Sequence, residues 1–126
     1  MTITSQGGAM EITTKIGTKT GLLNIIGQLE NVHKRPALFI GRKDDVKSAV
    51  NFLQGFLTAC DALGFGYSRD IGRQVIVEND WEPSSQGVWL QMREKGMHEE
   101  EIVQELVRME IRSWQKLVAL LVASEQ

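Results

Sequence analysis

HEEEIVQELVRMEIRSWQKLVALLV, residues 98–122, is the stretch that decides the fold. Val103, Val107, Glu110, Trp114, Leu117 and Leu121 recur at alternating four- and three-residue spacing, which is one face of an α-helix. With His98 at the cap position, Glu101 falls where a capping box places its acid, and Met97 and Ile102 are spaced as a hydrophobic staple. Glu99, Glu100 and Glu101 suit the positive end of the helix dipole. At about 1.5 Å per residue the helix is over roughly 30 Å long. Ile102, Leu106, Met109 and Leu120 lie beside the main stripe, so it offers apolar groups on more than one side.

Working back from this helix, Gly96 closes a short one over about 85–95, which carries Val88, Trp89 and Met92 and has Ser84 or Ser85 as its cap. Residues 69–80, RDIGRQVIVEND, are ambiguous. Val75, Ile76 and Val77 favour a strand by β-branching, but the one partner in sight is MEITTKIG at 10–17. A helix capped by Ser68 is the preferred reading. Asp44 or Asp45 starts a helix over about 45–63, with Gly64 as a left-handed stop and Phe65 folding back over the last turn. Its two apolar stripes (Val46, Val50, Leu53, Leu57, Cys60 and Phe52, Phe56, Ala59, Leu63) predict a central helix and the main partner of the last one. Leu22, Ile25, Ile26, Leu29 and Val32 mark a first helix at about 21–33, capped by Thr20 and ended by Pro36. The expectation is an all-α single domain of about five helices over residues 20–126. Residues 1–19 form a flexible or docked N-terminal tail.

Composition narrows the function. A net charge of −2 argues against a general nucleic-acid binder, which needs a basic field. The longest apolar run, LVALLVA at 117–123, is far short of the roughly 20 residues that span a bilayer. The N-terminus lacks the basic start and apolar stretch of a signal peptide. With one cysteine, Cys60, no internal disulfide can form, so a reducing, cytoplasmic setting is expected. Cys60 lies in the apolar run LTACDAL and reads as a small buried hydrophobe. His33 and His98 stand apart, HEEE lacks a second histidine one turn on, and no G-x-S-x-G or phosphate-loop motif occurs. No metal, no cofactor and no catalytic constellation is expected.

Glu110 is the most informative residue, because it interrupts an otherwise apolar stripe. A buried carboxylate without partners takes up a proton instead. Glu110 should therefore find an Arg, Lys or indole N–H partner, or stay protonated. It reads as a structural salt bridge, a carboxylate leaning to the stripe's edge, a site acid or an interface pair. Arg35 and Arg42, from the basic segment HKRPALFIGRKDD at 33–45, are attractive partners. Trp81, Trp89 and Trp114 are expected in one core or in a groove beside it.

That basic segment carries two resemblances. KRPALFIG, residues 34–41, resembles the KRPGMYIG segment near the start of the ATPase domain of type II DNA topoisomerases such as gyrase. In that family the next helix bears a water-activating Glu and a magnesium-holding Asn. Here the next helix, VKSAVNFLQGFLTAC, has no Glu, and Asn51 has no acid one turn before it. The resemblance therefore implies a similar loop-into-helix turn, without ATP hydrolysis. A second resemblance covers most of the chain. The order of short helix, RP-x-[LM]-[FY]-[IL]-G, long helix, Trp and long acidic-start helix looks like small bacterial proteins with an RPxMYLG-type segment, and by analogy implies an immunity or regulatory role.

In the structural reading of the segment, Leu38, Phe39 and Ile40 anchor in the core and Gly41 turns the chain. In the competing reading, Lys34, Arg35, Arg42 and Lys43 gather an anion. The leading functional expectation is a non-enzymatic bacterial interaction module that binds a protein partner or itself. The alternative is a small-ligand or anion binder. Arg35, Arg42, Glu110 and Trp114 are the candidate contact residues.

Overall fold

The computed structural model describes residues 18–125. The considered strand in MEITTKIG and the tail up to residue 17 lie outside that range. Among the described residues there are six helices: α1 (Lys19–Lys34), α2 (Pro36–Ile40), α3 (Val46–Ala62), α4 (Arg69–Glu78), α5 (Val88–Glu94) and α6 (Glu99–Ser124). The all-α reading holds, and the ambiguous stretch at 69–80 is helical through Glu78, with Asn79 and Asp80 in the turn that follows.

Local chemistry sets most of the ends. Asp45 caps α3 by accepting from the Ser48 N–H at 3.0 Å, and Ser68 caps α4 by accepting from Ile71 N–H at 3.3 Å. Gly64, at φ 93°, stops α3, and the Phe65 N–H reaches back to the Cys60 carbonyl at 2.8 Å. At the start of α6 the Glu101 carboxylate accepts from the His98 N–H at 2.9 Å, which is the carboxylate half of the expected box.

Two caps differ from expectation. Thr18, not Thr20, caps α1, accepting from Gly21 N–H at 3.0 Å, so the helix begins earlier. Neither Ser84 nor Ser85 caps α5. Its N-cap is Gly87 at φ 95°, and Ser84 closes a local turn by accepting from Gln86 N–H. A Cβ at Gly87 would stand 2.7 Å from the Trp89 indole, so that indole takes the space where a side-chain cap would sit.

The long last helix is the hub. α1, α3, α4 and α5 all pack on α6, and α1 rather than α3 is its most extensive partner. The predicted central place of α3 is thus corrected. Val46, Ala49, Leu53 and Cys60 are its buried residues, while Phe52 and Phe56 are only partly covered. Its second stripe meets the surface because α6 already occupies the middle. One core cluster joins Leu22, Ile26, Leu29 and Val32 of α1 to Val107, Trp114 and Leu117 of α6. The other joins Met92 of α5 and Val75 of α4 to Ile102 and Val103 of α6. Ile102 and Met109 are buried and Leu106 packs on both clusters, so of the four residues beside the main stripe only Leu120 is exposed.

Candidate functional site

α3 and α4 both rest on α6, and the space between them forms a cleft of about 350 Å³. Its walls are mostly apolar: Val50, Leu53 and Leu57 from α3, Val75 and Ile76 from α4, and Val88 and Trp89 from α5, with Gln54 and Ser84 as polar exceptions. Leu106, Met109, Glu110 and Ser113 of α6 also line it, and Tyr67 joins from the loop before α4. That volume lies at the lower end of the range for small-molecule sites, which are typically apolar with a few convergent polar groups.

Among the described residues, Glu110 is the cleft's sole carboxylic acid, and no Lys, Arg or His lines it. The Tyr67 hydroxyl donates to Glu110 Oε2 at 2.8 Å, and the Trp114 indole N–H donates to the same oxygen at 3.1 Å. Oε1 receives neither. The two rings meet edge to face, with centroids 5.2 Å apart. Trp114 is fully buried, so it positions the carboxylate from below.

Desolvation dominates the electrostatics. Burial pushes the Glu110 carboxyl up to about 7, although the hydrogen bonds from Tyr67 and Trp114 pull the other way. Burial also raises the Tyr67 hydroxyl well above its ordinary range, and the Glu110 charge adds to this. Cys60 is buried and its thiol is likewise raised, first by burial and then by Glu110. It behaves as the small hydrophobe anticipated, since a raised pKa means less thiolate.

The candidate residues fall into two separate places. Glu110 and Trp114 meet in the cleft. Arg35 and Arg42 do not reach it: Arg42 is 73% exposed and pairs with Asp44 at 3.2 Å, and Arg35 lies exposed beside Leu38 on a surface groove. The Arg–Glu110 pairing is therefore replaced by Tyr67 and Trp114. The anchor reading is corrected as well. Leu38 is 71% exposed and Phe39 is 38% exposed, edge-on to Phe52, while Pro36 is buried and Ile40 packs inward. A five-residue helix, α2, formed where a loop was expected, and it turns Leu38 outward. The tryptophans divide too: Trp114 belongs to the first cluster, whereas Trp81 and Trp89 pack on the second.

Tyr67 is the residue that sequence reasoning missed. It is the chain's only tyrosine, and a buried tyrosine hydroxyl usually has a partner. Nothing local, however, points from position 67 to position 110. The Glu110–Trp114 bond was legible, because residues four apart share a helix face. Among the described residues no helix is long and apolar enough to cross a membrane. The chain matches no protein-family model, no curated protein and no solved structure.

Proposed function

We propose that this protein is a bacterial, cytoplasmic ligand-binding module that holds a small, largely apolar molecule in the cleft between α3 and α4 without chemical turnover. The observation that carries this reading is the placement of one part-buried carboxyl, with two donors on a single oxygen, in a mostly apolar cleft whose other polar side chains, Gln54, Tyr67, Ser84 and Ser113, are uncharged near neutrality. Apolar walls supply affinity through burial, and a few fixed polar groups supply orientation. Trp89 lines the cleft and gives a fluorescence reporter.

Titration with a neutral aromatic fragment such as benzyl alcohol, followed by amide chemical shifts, tests the reading. Shifts should cluster at Val50, Leu57, Ile76 and Trp89, and the Leu57→Trp variant, which fills the cleft, should lose them. If benzyl alcohol and its charged analogues of the same body all leave the cleft residues unshifted at saturating concentration, the reading is overturned.

A second reading, a protein-interaction module with an immunity or regulatory role, is favoured by Leu38. It projects from α2 beside Lys34, Arg35 and Lys43. An exposed apolar anchor with a cationic rim is the composition of an interface patch. Light scattering at increasing concentration, with Leu38→Asp as control, tests self-association through that corner.

A further inference from the structure

The cleft raises a question of charge balance. A buried carboxylate normally has a counter-charge, because desolvating an anion is expensive. Among the described residues Glu110 has none: its partners are the neutral donors of Tyr67 and Trp114, and no cationic side chain lines the cleft. Both donors address Oε2, so Oε1 is the acceptor that they leave over. Two aromatic residues, Tyr67 and Trp89, line the same space, and a ring face attracts a cation.

Resting on the ligand-binding reading above, we infer that the cleft selects a cationic amine attached to a small apolar group, with the ammonium donating to Glu110 Oε1 and the apolar body lying between α3 and α4. The amine supplies the missing counter-charge, and the two donors on Oε2 hold the carboxylate for it. A negatively charged ligand is disfavoured, since the only charge that the described lining residues present near neutrality is negative. A neutral apolar ligand fits the walls but leaves the carboxyl without compensation.

Proton balance follows from the same geometry. The groups facing Glu110 are Tyr67 from the loop, Cys60 from α3, and Ser113 and Trp114 from α6 itself, while α4 and α5 present only uncharged residues to the cleft. Tyr67 and Cys60 stay protonated near neutrality, since both are raised. Below about pH 7 the Glu110 carboxyl carries a proton in the free protein. Binding an ammonium then releases that proton from Glu110 to solvent. Amine affinity accordingly rises about tenfold per pH unit up to that point and levels off above it.

The test compares benzylamine with benzyl alcohol, which share a body and differ in charge. Binding is followed by chemical-shift titration between pH 5.5 and 8 on the wild type, Glu110→Gln and Tyr67→Phe. In the wild type benzylamine should bind more tightly than the alcohol at pH 8 and show the pH rise, while the alcohol shows no rise. Glu110→Gln should weaken benzylamine by at least about thirtyfold, as expected when one partner of a buried charge pair is lost, and should weaken the alcohol by far less, so that most of the preference for the amine disappears. Tyr67→Phe removes one donor that favours the ionised carboxyl, so the midpoint of the amine's pH rise should move upward. This readout stands even if Glu110→Gln fails to fold. Equal binding of both probes, or full retention of benzylamine in Glu110→Gln, overturns the cation selectivity and leaves the ligand-binding reading standing. Failure of both probes to shift any cleft residue overturns the two together.

Discussion

The corner at residues 33–45 holds most of the sequence's conspicuous chemistry, and the cleft around Glu110 holds very little of it. Yet at the corner the charges are dispersed on the surface. Arg42 pairs with its near neighbour Asp44, and Lys43 lies 3.7 Å from Glu100, both pairs well exposed. Exposed pairs of this kind contribute roughly 0–1 kcal/mol. In the cleft a single carboxyl meets two donors in partial burial and has its proton affinity displaced to about 7. The contrast teaches that the density of charged residues in a sequence is a weaker guide to a site than one charge in an apolar pattern. Water screens the first, whereas the second has to be matched by the fold.

The sharpest way to break this comparison is Glu110→Ala against Glu100→Ala at pH 5. Losing Glu110 strands the Tyr67 hydroxyl and the Trp114 N–H, at about 1–3 kcal/mol for each unsatisfied buried group. Losing Glu100 removes only an exposed contact with Lys43, within about 0.5 kcal/mol. Equal, small shifts in thermal melts would erase the distinction between the two regions.

Next in size is the pH dependence of stability. Folded Glu110 keeps its proton up to about 7, whereas an unfolded glutamate keeps it only to the ordinary 4.5. Between those values the folded state binds more protons, so stability falls as pH rises through the window and stays lower above it. The full effect is about 3 kcal/mol, at about 1.4 kcal/mol per pH unit. His33 acts in the opposite sense. It is held below its ordinary 6.5 by burial and by the Arg108 charge, so its contribution is lost as pH falls. Chemical denaturation of wild type and Glu110→Gln across pH 4.5–8 isolates the carboxyl. The two curves should diverge over that window, and parallel curves would show an ordinary surface acid.

Gly87→Ala probes the cleft's rim. The substitution meets a positive φ of 95° and places its Cβ 2.7 Å from the Trp89 indole. A loss of about 1–3 kcal/mol is expected, as for overpacking elsewhere, together with a changed Trp89 fluorescence maximum. An unchanged melt and spectrum would mean that the indole is not held where the structure puts it.

The smallest effect is expected at the corner. Arg42→Glu and Leu38→Asp should each change stability by less than about 0.5 kcal/mol, because both side chains are largely exposed. A large loss from Leu38→Asp would restore the idea that this segment anchors the core.

What could be read without a structure was what the chain decides locally. The Ser68 and Asp45 caps, the Gly64 and Gly96 stops, the capping box at His98 and the Glu110–Trp114 pair all join residues within a few positions of one another. Hydrogen bonding and helical periodicity act over that range, so the sequence by itself determined an all-α chain ending in one long amphipathic helix. Tertiary packing decided the rest. Tyr67 and Glu110 stand 43 positions apart and meet only because α3 and α4 rest side by side on α6. α3 could not be placed from its own pattern, because an apolar stripe records a preference for burial without naming the neighbour that provides it. The same holds for Leu38: its apolar side chain suggested the core, but α2 turned it outward while Pro36 and Ile40 faced inward. Which apolar groups win the limited space against the central helix is a competition among all the helices at once, and no single stretch of sequence holds that information.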